Sequence, residues 1–246
     1  KIRIVTVEDT IELPTAQMRE LGYNIQSMKS RSVITHIETE LPAEEALRTA
    51  LRLGDSALIV GEVRSREALA LYEAMRIGAL ANVVAGTIHG DSAYGVFDRV
   101  VNDLGVPPTS FKATDIILVA NMLRSPDGLR AYRRVVELTE VRKHWKTDPA
   151  EEGGFVNLLE YSAKDDILKP TKTLLMGESQ VINDLSSRVR EWKGNWDSVW
   201  ENIKLRGKVL QTLIDFSNQK NNPEMLEAPF VIASNNMFHL LGAQVK

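Results

Sequence analysis

The chain contains no cysteine, which removes disulfide frameworks, thiolate zinc sites and cysteine nucleophiles together. That absence suits a reducing compartment. No window approaches the ~18 consecutive apolar residues of a membrane-spanning helix, and no charged-then-apolar leader opens the sequence. Neither sign of charge is in excess: 30 basic residues against 33 acidic ones leave a formal net charge of −3. With no basic-aromatic stripe either, a nucleic-acid translocase is disfavoured. Internal repeats and low-complexity segments are missing too. What is present is 246 residues at 43% hydrophobic content, enough to bury a sizeable core in one large or two modest domains. The sequence opens at Lys1 directly into a β-rich stretch, so a piece of a longer chain with an upstream portion is expected.

In chain order, Ile2 to Val7 is β-rich and runs into the acidic stretch Glu8-Asp9-Thr10-Ile11-Glu12. Val33 to Ile37 has the composition of another strand. Pro42 with Glu44 and Glu45 marks a helix start, because proline fits the first turn and acids there complement the dipole. Ala57-Leu58-Ile59-Val60 is a short buried strand, and Gly61-Glu62 places a carboxylate at its end. Ala68, Leu71, Tyr72 and Met75 give the next helix, with Ser65 as its expected cap. A strand over Ala81 to Ile88 then ends in His89. Ser92 caps the cleanest helical stripe, Ala93, Val96, Phe97, Val100, Val101 and Leu104, closed by Gly105. Strand and helix alternating this quickly predict a mostly parallel α/β sheet.

The texture changes after about residue 123. Ile116 to Val119 reads as a strand, Ser125-Pro126-Asp127-Gly128 as a turn, and Leu129 to Val141 as a long β segment. Phe155 to Tyr161 and Ile167 to Thr173 are spaced as a hairpin around Lys164-Asp165-Asp166. From about residue 176 the pattern is helical. Val181, Leu185, Val189 and Trp192 share a face, Gly194-Asn195 interrupts, and a second helix begins at Trp196. Trp192, Trp196 and Trp200 fit packing anchors better than base-stacking platforms. The expected division is therefore 1–123 as an α/β core, 124–175 as a β-rich extension and 176–246 as a helical region.

In open α/β sheets, ligands bind beyond the carboxyl ends of the strands. A carboxylate at Glu62 and an imidazole at His89, each following a strand, are thus candidate site residues. Each signal alone is weak, because acidic turns are commonly just solvated and a lone histidine is commonly structural. Their order is more telling.

Val5-Thr6-Val7-Glu8-Asp9-Thr10-Ile11-Glu12 resembles the Asp box of the type II/IV secretion ATPase superfamily, the hexameric motors of secretion and pilus assembly. Leu58 to Arg64 resembles its Walker B motif, and Gly86-Thr87-Ile88-His89-Gly90 its His box. Arg52-Leu53-Gly54-Asp55-Ser56-Ala57, Val100 to Pro107 and Ser110 to Asp115 resemble the archaeal branch. The resemblance covers roughly residues 1 to 145. It implies a RecA-like P-loop ATPase core, here lacking its P-loop part, followed by the β-hairpin and helical regions.

The resemblance further implies ATP and Mg²⁺ as cofactors, with Glu62, Glu8 and His89 in the catalytic set. Glu62 would polarise the attacking water or sit beside the Mg²⁺ through water, Glu8 would help orient that water and the metal, and His89 would sense or contact the γ-phosphate. Asp9, Glu12 and Thr87 would support nucleotide and Mg²⁺, while Arg31, Arg52 and Arg64 are candidate arginine fingers or sensors. Phosphoryl transfer suits such a set, since it needs positioning and charge more than covalent help. Implied partners are further copies of the chain, as a hexamer, and a membrane platform protein at the inner face of the cell membrane. No Gly-x-x-x-x-Gly-Lys-Ser/Thr occurs in the sequence, and that loop supplies the phosphate cradle. These residues by themselves are therefore expected to hydrolyse ATP poorly or not at all. A competing expectation is a non-hydrolysing assembly module of such a machine.

Overall fold

A computed structural model of the chain describes residues 2–30, 42–51, 56–65, 67–76, 83–125 and 127–244. The strand expected at Val33 to Ile37, and the candidates Arg31 and Arg52, lie outside these residues. Contacts divide the chain into two compact units, 1–181 and 182–246.

The first unit opens with β1 (Arg3–Glu8), α1 (Thr15–Glu20), β2 (Ile25–Lys29), α2 (Ala43–Leu51), β3 (Ser56–Val60), α3 (Glu67–Arg76) and β4 (Val83–Gly86). The four strands form one sheet in the order β2-β1-β3-β4. All three pairings are parallel, with Val7 beside Val60 and Val60 beside Gly86. Parallel strands carry their carboxyl ends to one edge, so Glu8, Gly61 and Thr87 come together there. The inner strands are buried: Val5, Thr6, Val7, Leu58 and Val60 are each at most 3% exposed. Such continuous apolar runs are what a sheet covered on both faces requires.

The helices bury the faces their spacing predicts. Ala46, Leu47 and Ala50 of α2, and Ala68, Leu71 and Tyr72 of α3, all belong to the core. α4 (Ala93–Asp98) starts at Ser92, whose hydroxyl accepts from the Gly95 N–H at 3.0 Å, and it widens to π geometry over Arg99–Asp103. Gly105 then takes φ +72°, a left-handed conformation that favours glycine and ends the helix.

After α5 (Pro108–Phe111) come β5 (Ile116–Arg124), β6 (Ala131–Val141), β7 (Phe155–Ser162) and β8 (Ile167–Pro170). They form a separate antiparallel sheet in sequence order. The strand expected at Ile116 to Val119 thus runs on to Arg124 and opens a second sheet. β8 stops at Pro170 rather than Thr173 because Thr171 caps the short helix α6 (Lys172–Leu175). The two sheets share one core, since Ile117, Val119, Val141 and Trp145 join the cluster built on β1 and β3. Phe97 lies edge-on to Phe111 and Trp145 at 5.1 and 5.7 Å between ring centroids. Such aromatic pairs add ~0.5–1.5 kcal/mol beyond area burial.

α7 (Gln180–Ser187) spans the division between the units. Val189 and Trp192, expected on the same helix, lie in turns beyond its end. The second unit continues with α8 (Trp196–Lys220), a 3₁₀ turn at Pro223–Leu226, and α9 (Ala228–Gln244). Trp196 and Trp200 stack at 6.2 Å, and the Arg206 guanidinium lies 5.1 Å from the Phe238 ring centre, a contact between α8 and α9. Among the described residues, no helix is long and apolar enough to cross a membrane.

Candidate functional site at the carboxyl edge of the parallel sheet

Three strand ends are stitched together by backbone bonds before any side chain is considered. The Gly61 N–H donates to the Val7 carbonyl at 2.9 Å, and the Val63 N–H donates to the Thr87 carbonyl at 2.8 Å. The Thr87 hydroxyl donates to the Gly61 carbonyl. Thr87, named above as nucleotide support, therefore spends its hydroxyl on joining the β3 and β4 ends. Gly61 is needed for close approach: a Cβ built there would lie 2.9 Å from the Glu8 Cγ.

Glu8 and Glu62 occupy different environments. Glu8 is 2% exposed. Its Oε1 accepts from the N–H groups of Glu12 and Leu13, each at 3.0 Å, and its Oε2 lies 3.4 Å from the Thr6 hydroxyl. The Glu8 carboxylate thus folds the acidic loop over the end of β1. Glu12 contributes its backbone N–H to this arrangement, while its side chain is exposed.

Glu62 has a side chain 25% exposed, with Arg64 Nη1 at 3.5 Å from one oxygen and His89 Nε2 at 3.3 Å from the other. His89 is itself 83% exposed, and Arg64 also pairs with Asp9. Asp9, Glu62, Arg64 and His89 therefore form one connected polar row across the ends of β1, β3 and β4. The Arg64 backbone is fixed by Glu67, whose Oε1 accepts from the N–H groups of Arg64 and Ser65 at 2.8 Å each. The Ser65 hydroxyl donates to the same carboxylate, so Glu67 gathers three donors from the segment that leads into α3. Sequence reading overlooked Glu67; an acid three residues beyond Arg64, in the first turn of a helix, was the available signal.

The donor set fits a hard divalent cation in one respect. Asp9 and Glu62 offer partly exposed carboxylate oxygens, which suit Mg²⁺ bound through one or two carboxylates, water and substrate phosphates. Among the described residues, no group of three or more carboxylates and imidazoles is placed to hold a metal unaided. A cation here would need phosphate oxygens to complete its shell.

Fold and edge together define an α/β protein with an acidic, solvent-open ligand edge at the carboxyl ends of a parallel sheet. The chain belongs to the type II/IV secretion system protein family, whose model matches residues 1–153. It is 27% identical over 202 residues to an uncharacterised protein of Methanocaldococcus jannaschii, covering 76% of this chain and 69% of that one. It is 34% identical over 122 residues to the type IV pilus retraction ATPase PilT of Pseudomonas aeruginosa, covering 50% of this chain and 31% of PilT. Among solved structures it is similar to the VirB11 ATPase of the Brucella suis type IV secretion system, at 19% identity and a TM-score of 0.41. That match covers 56% of this chain and 40% of VirB11.

Proposed function

We propose that the chain is the C-terminal part of a hexameric ATPase that hydrolyses Mg²⁺-ATP to drive archaeal type II secretion or assembly of a surface filament, a type IV pilus or archaellum. The observation that carries this reading is the row Asp9-Arg64-Glu62-His89 along the ligand edge of a chain belonging to the secretion family. In this reading Glu62 accepts a proton from, or orients, the water that attacks the γ-phosphate. His89, at the exposed end of the row, contacts the γ-phosphate. Bound Mg²⁺ would supply positive charge on the phosphate oxygens, with Asp9 and Glu62 holding its water shell. Glu8 supports them by fixing the loop that carries Asp9, and Thr87 by fixing Gly61. Arg31 and Arg52 retain their proposed role as residues acting across a subunit boundary.

The phosphate cradle would come from chain upstream of Lys1. The partners of the complete protein are further copies of itself and a membrane platform protein, placing the motor in the cytoplasm against the inner face of the membrane. The apolar residues exposed on α8 and α9, including Leu210, Phe230 and Leu241, are proposed to face such a partner.

The test is to obtain the upstream coding sequence and assay the complete protein. A Gly-x-x-x-x-Gly-Lys-Ser/Thr loop and Mg²⁺-dependent ATP turnover are expected. An intact reading frame without that loop, and no turnover, would favour the non-hydrolysing assembly module instead.

A further inference from the structure

We infer that Arg64 is an exchangeable stand-in for the divalent cation: its guanidinium holds Asp9 and Glu62, and an incoming metal displaces it from Glu62. This deepens, and rests on, the proposed Mg²⁺-ATP reading. Arg64 thereby becomes a positioning residue acting within its own chain, in contrast to the role across a subunit boundary that the sequence left open.

Three observations carry it. First, the two carboxylates that would face the metal already share one cation: Arg64 pairs with Asp9 through Nη2 and with Glu62 through Nη1, the latter at 3.5 Å. Two carboxylates drawn to one spot repel unless a positive charge stands between them. Second, the two contacts are unequal. The Asp9 pair is the close one, while the Glu62 contact is long for a charge-assisted hydrogen bond, which normally lies near 2.7–2.9 Å. Glu62 is therefore the partner that lets go at least cost, and it is also the group that would act on water. Third, the guanidinium is tethered at its root. Glu67 fixes the Arg64 and Ser65 N–H groups at 2.8 Å each. On such a root the side chain can retain Asp9 while releasing Glu62, which keeps the acidic loop attached to the β3 end.

The arrangement also guards the site against metal alone. With Arg64 in place, Glu62 has its oxygens engaged by Arg64 and His89, so metal without phosphate must compete with a guanidinium. Metal arriving with ATP brings phosphate charge that can draw Arg64 and His89 away. Binding of the cation alone should thus be weak, and nucleotide should strengthen it.

The test is Mn²⁺ binding, read by the loss of the free-ion electron paramagnetic resonance signal, for the 246-residue chain. The variants are Arg64→Gln, Arg64→Lys and Glu62→Gln. Removing a unit charge a few ångströms from a partly exposed carboxylate should tighten Mn²⁺ binding about ten-fold in Arg64→Gln. Arg64→Lys, which keeps the charge, should stay within about three-fold of wild type. Glu62→Gln should weaken binding at least about ten-fold. A purely structural role for Arg64 would instead loosen the site and weaken binding in Arg64→Gln. Unchanged or weaker binding in Arg64→Gln, with Glu62→Gln still impaired, overturns the exchange and leaves the metal site standing. Binding insensitive to Glu62→Gln overturns both.

Discussion

Glu62 at the edge of the parallel sheet and the carboxylates of the antiparallel sheet handle charge in opposite ways. At the edge of the parallel sheet, Glu62 shares itself between Arg64 and His89 at 3.5 and 3.3 Å, and solvent reaches a quarter of its side chain. In and beside the antiparallel sheet the carboxylates are committed. Glu140 is fully buried, with the Ser179 hydroxyl at 2.6 Å and the Gln180 and Val181 N–H groups at 3.1 and 3.2 Å. Asp166 receives both arms of the Arg134 guanidinium and the Tyr161 hydroxyl, all at 2.7 Å, and is held down to about 2, chiefly by Arg134. Glu152 accepts from the backbone N–H groups of Thr147, Lys146 and Asp148, which also hold it near 2. The lesson is about which charges are spare. A carboxylate with short contacts to fixed partners builds the fold even where solvent reaches it, whereas one with only long contacts can trade its partners for a ligand.

That contrast can be broken by substitution. The largest effect on stability is expected from Glu140→Ala, which strands the buried Ser179 hydroxyl and removes the acceptor of two partly buried N–H bonds at the start of α7. Unsatisfied buried donors cost ~1–3 kcal/mol each, only partly additively, so a loss of about 3 kcal/mol in urea unfolding is expected. A loss near zero would mean that Glu140 is no clamp. Next is Gly61→Ala, which drives a methyl group to 2.9 Å from the Glu8 Cγ, itself pinned through its carboxylate. Overpacking of this kind costs ~1–3 kcal/mol. Thermal denaturation should show it, and the loop at Glu12 should lose amide protection.

The smallest effect is expected from acid. Glu152 and Asp166 sit near 2 when folded, against ordinary values of 4.5 and 3.8. A carboxyl depressed in the folded state adds stability that is complete above its ordinary value and lost as pH falls through the folded one. Amide exchange at residues 146–148 and in the β7–β8 turn should therefore rise only between about pH 4.5 and pH 2. Both groups are open to solvent, so the change should be modest and should weaken further in salt. Loosening of those segments already at pH 6 would contradict the assignment.

Much of this was legible in the sequence, for physical reasons that differ by region. The helix faces at Ala68, Leu71, Tyr72 and at Ala93, Val96, Phe97 were readable because burial imposes a 3.6-residue period. The strands leading to Glu8, Glu62 and His89 were readable because parallel β3 and β4 are short apolar runs with polar punctuation, although β4 stops at Gly86, short of the expected Ile88. Trp145 was missed: an aromatic in a charged loop has no periodicity, and only the tertiary fold shows it fully buried against Phe97. Glu140 was missed because it alternates correctly as a strand residue, while its partners lie some forty positions away in sequence. Arg64 was noticed as a cation, but its pairing with Asp9 depends on β1 and β3 being neighbours. Spacing along a chain cannot supply that.

The central claim is that Glu62 is the spare carboxylate and acts on the attacking water. Its most direct test is ATP turnover and ATP affinity of Glu62→Gln in the complete protein, measured side by side. The account predicts turnover lower by a factor of ~10² or more, the scale of a lost general base, with affinity for ATP within about three-fold of wild type. Normal turnover in Glu62→Gln would contradict it.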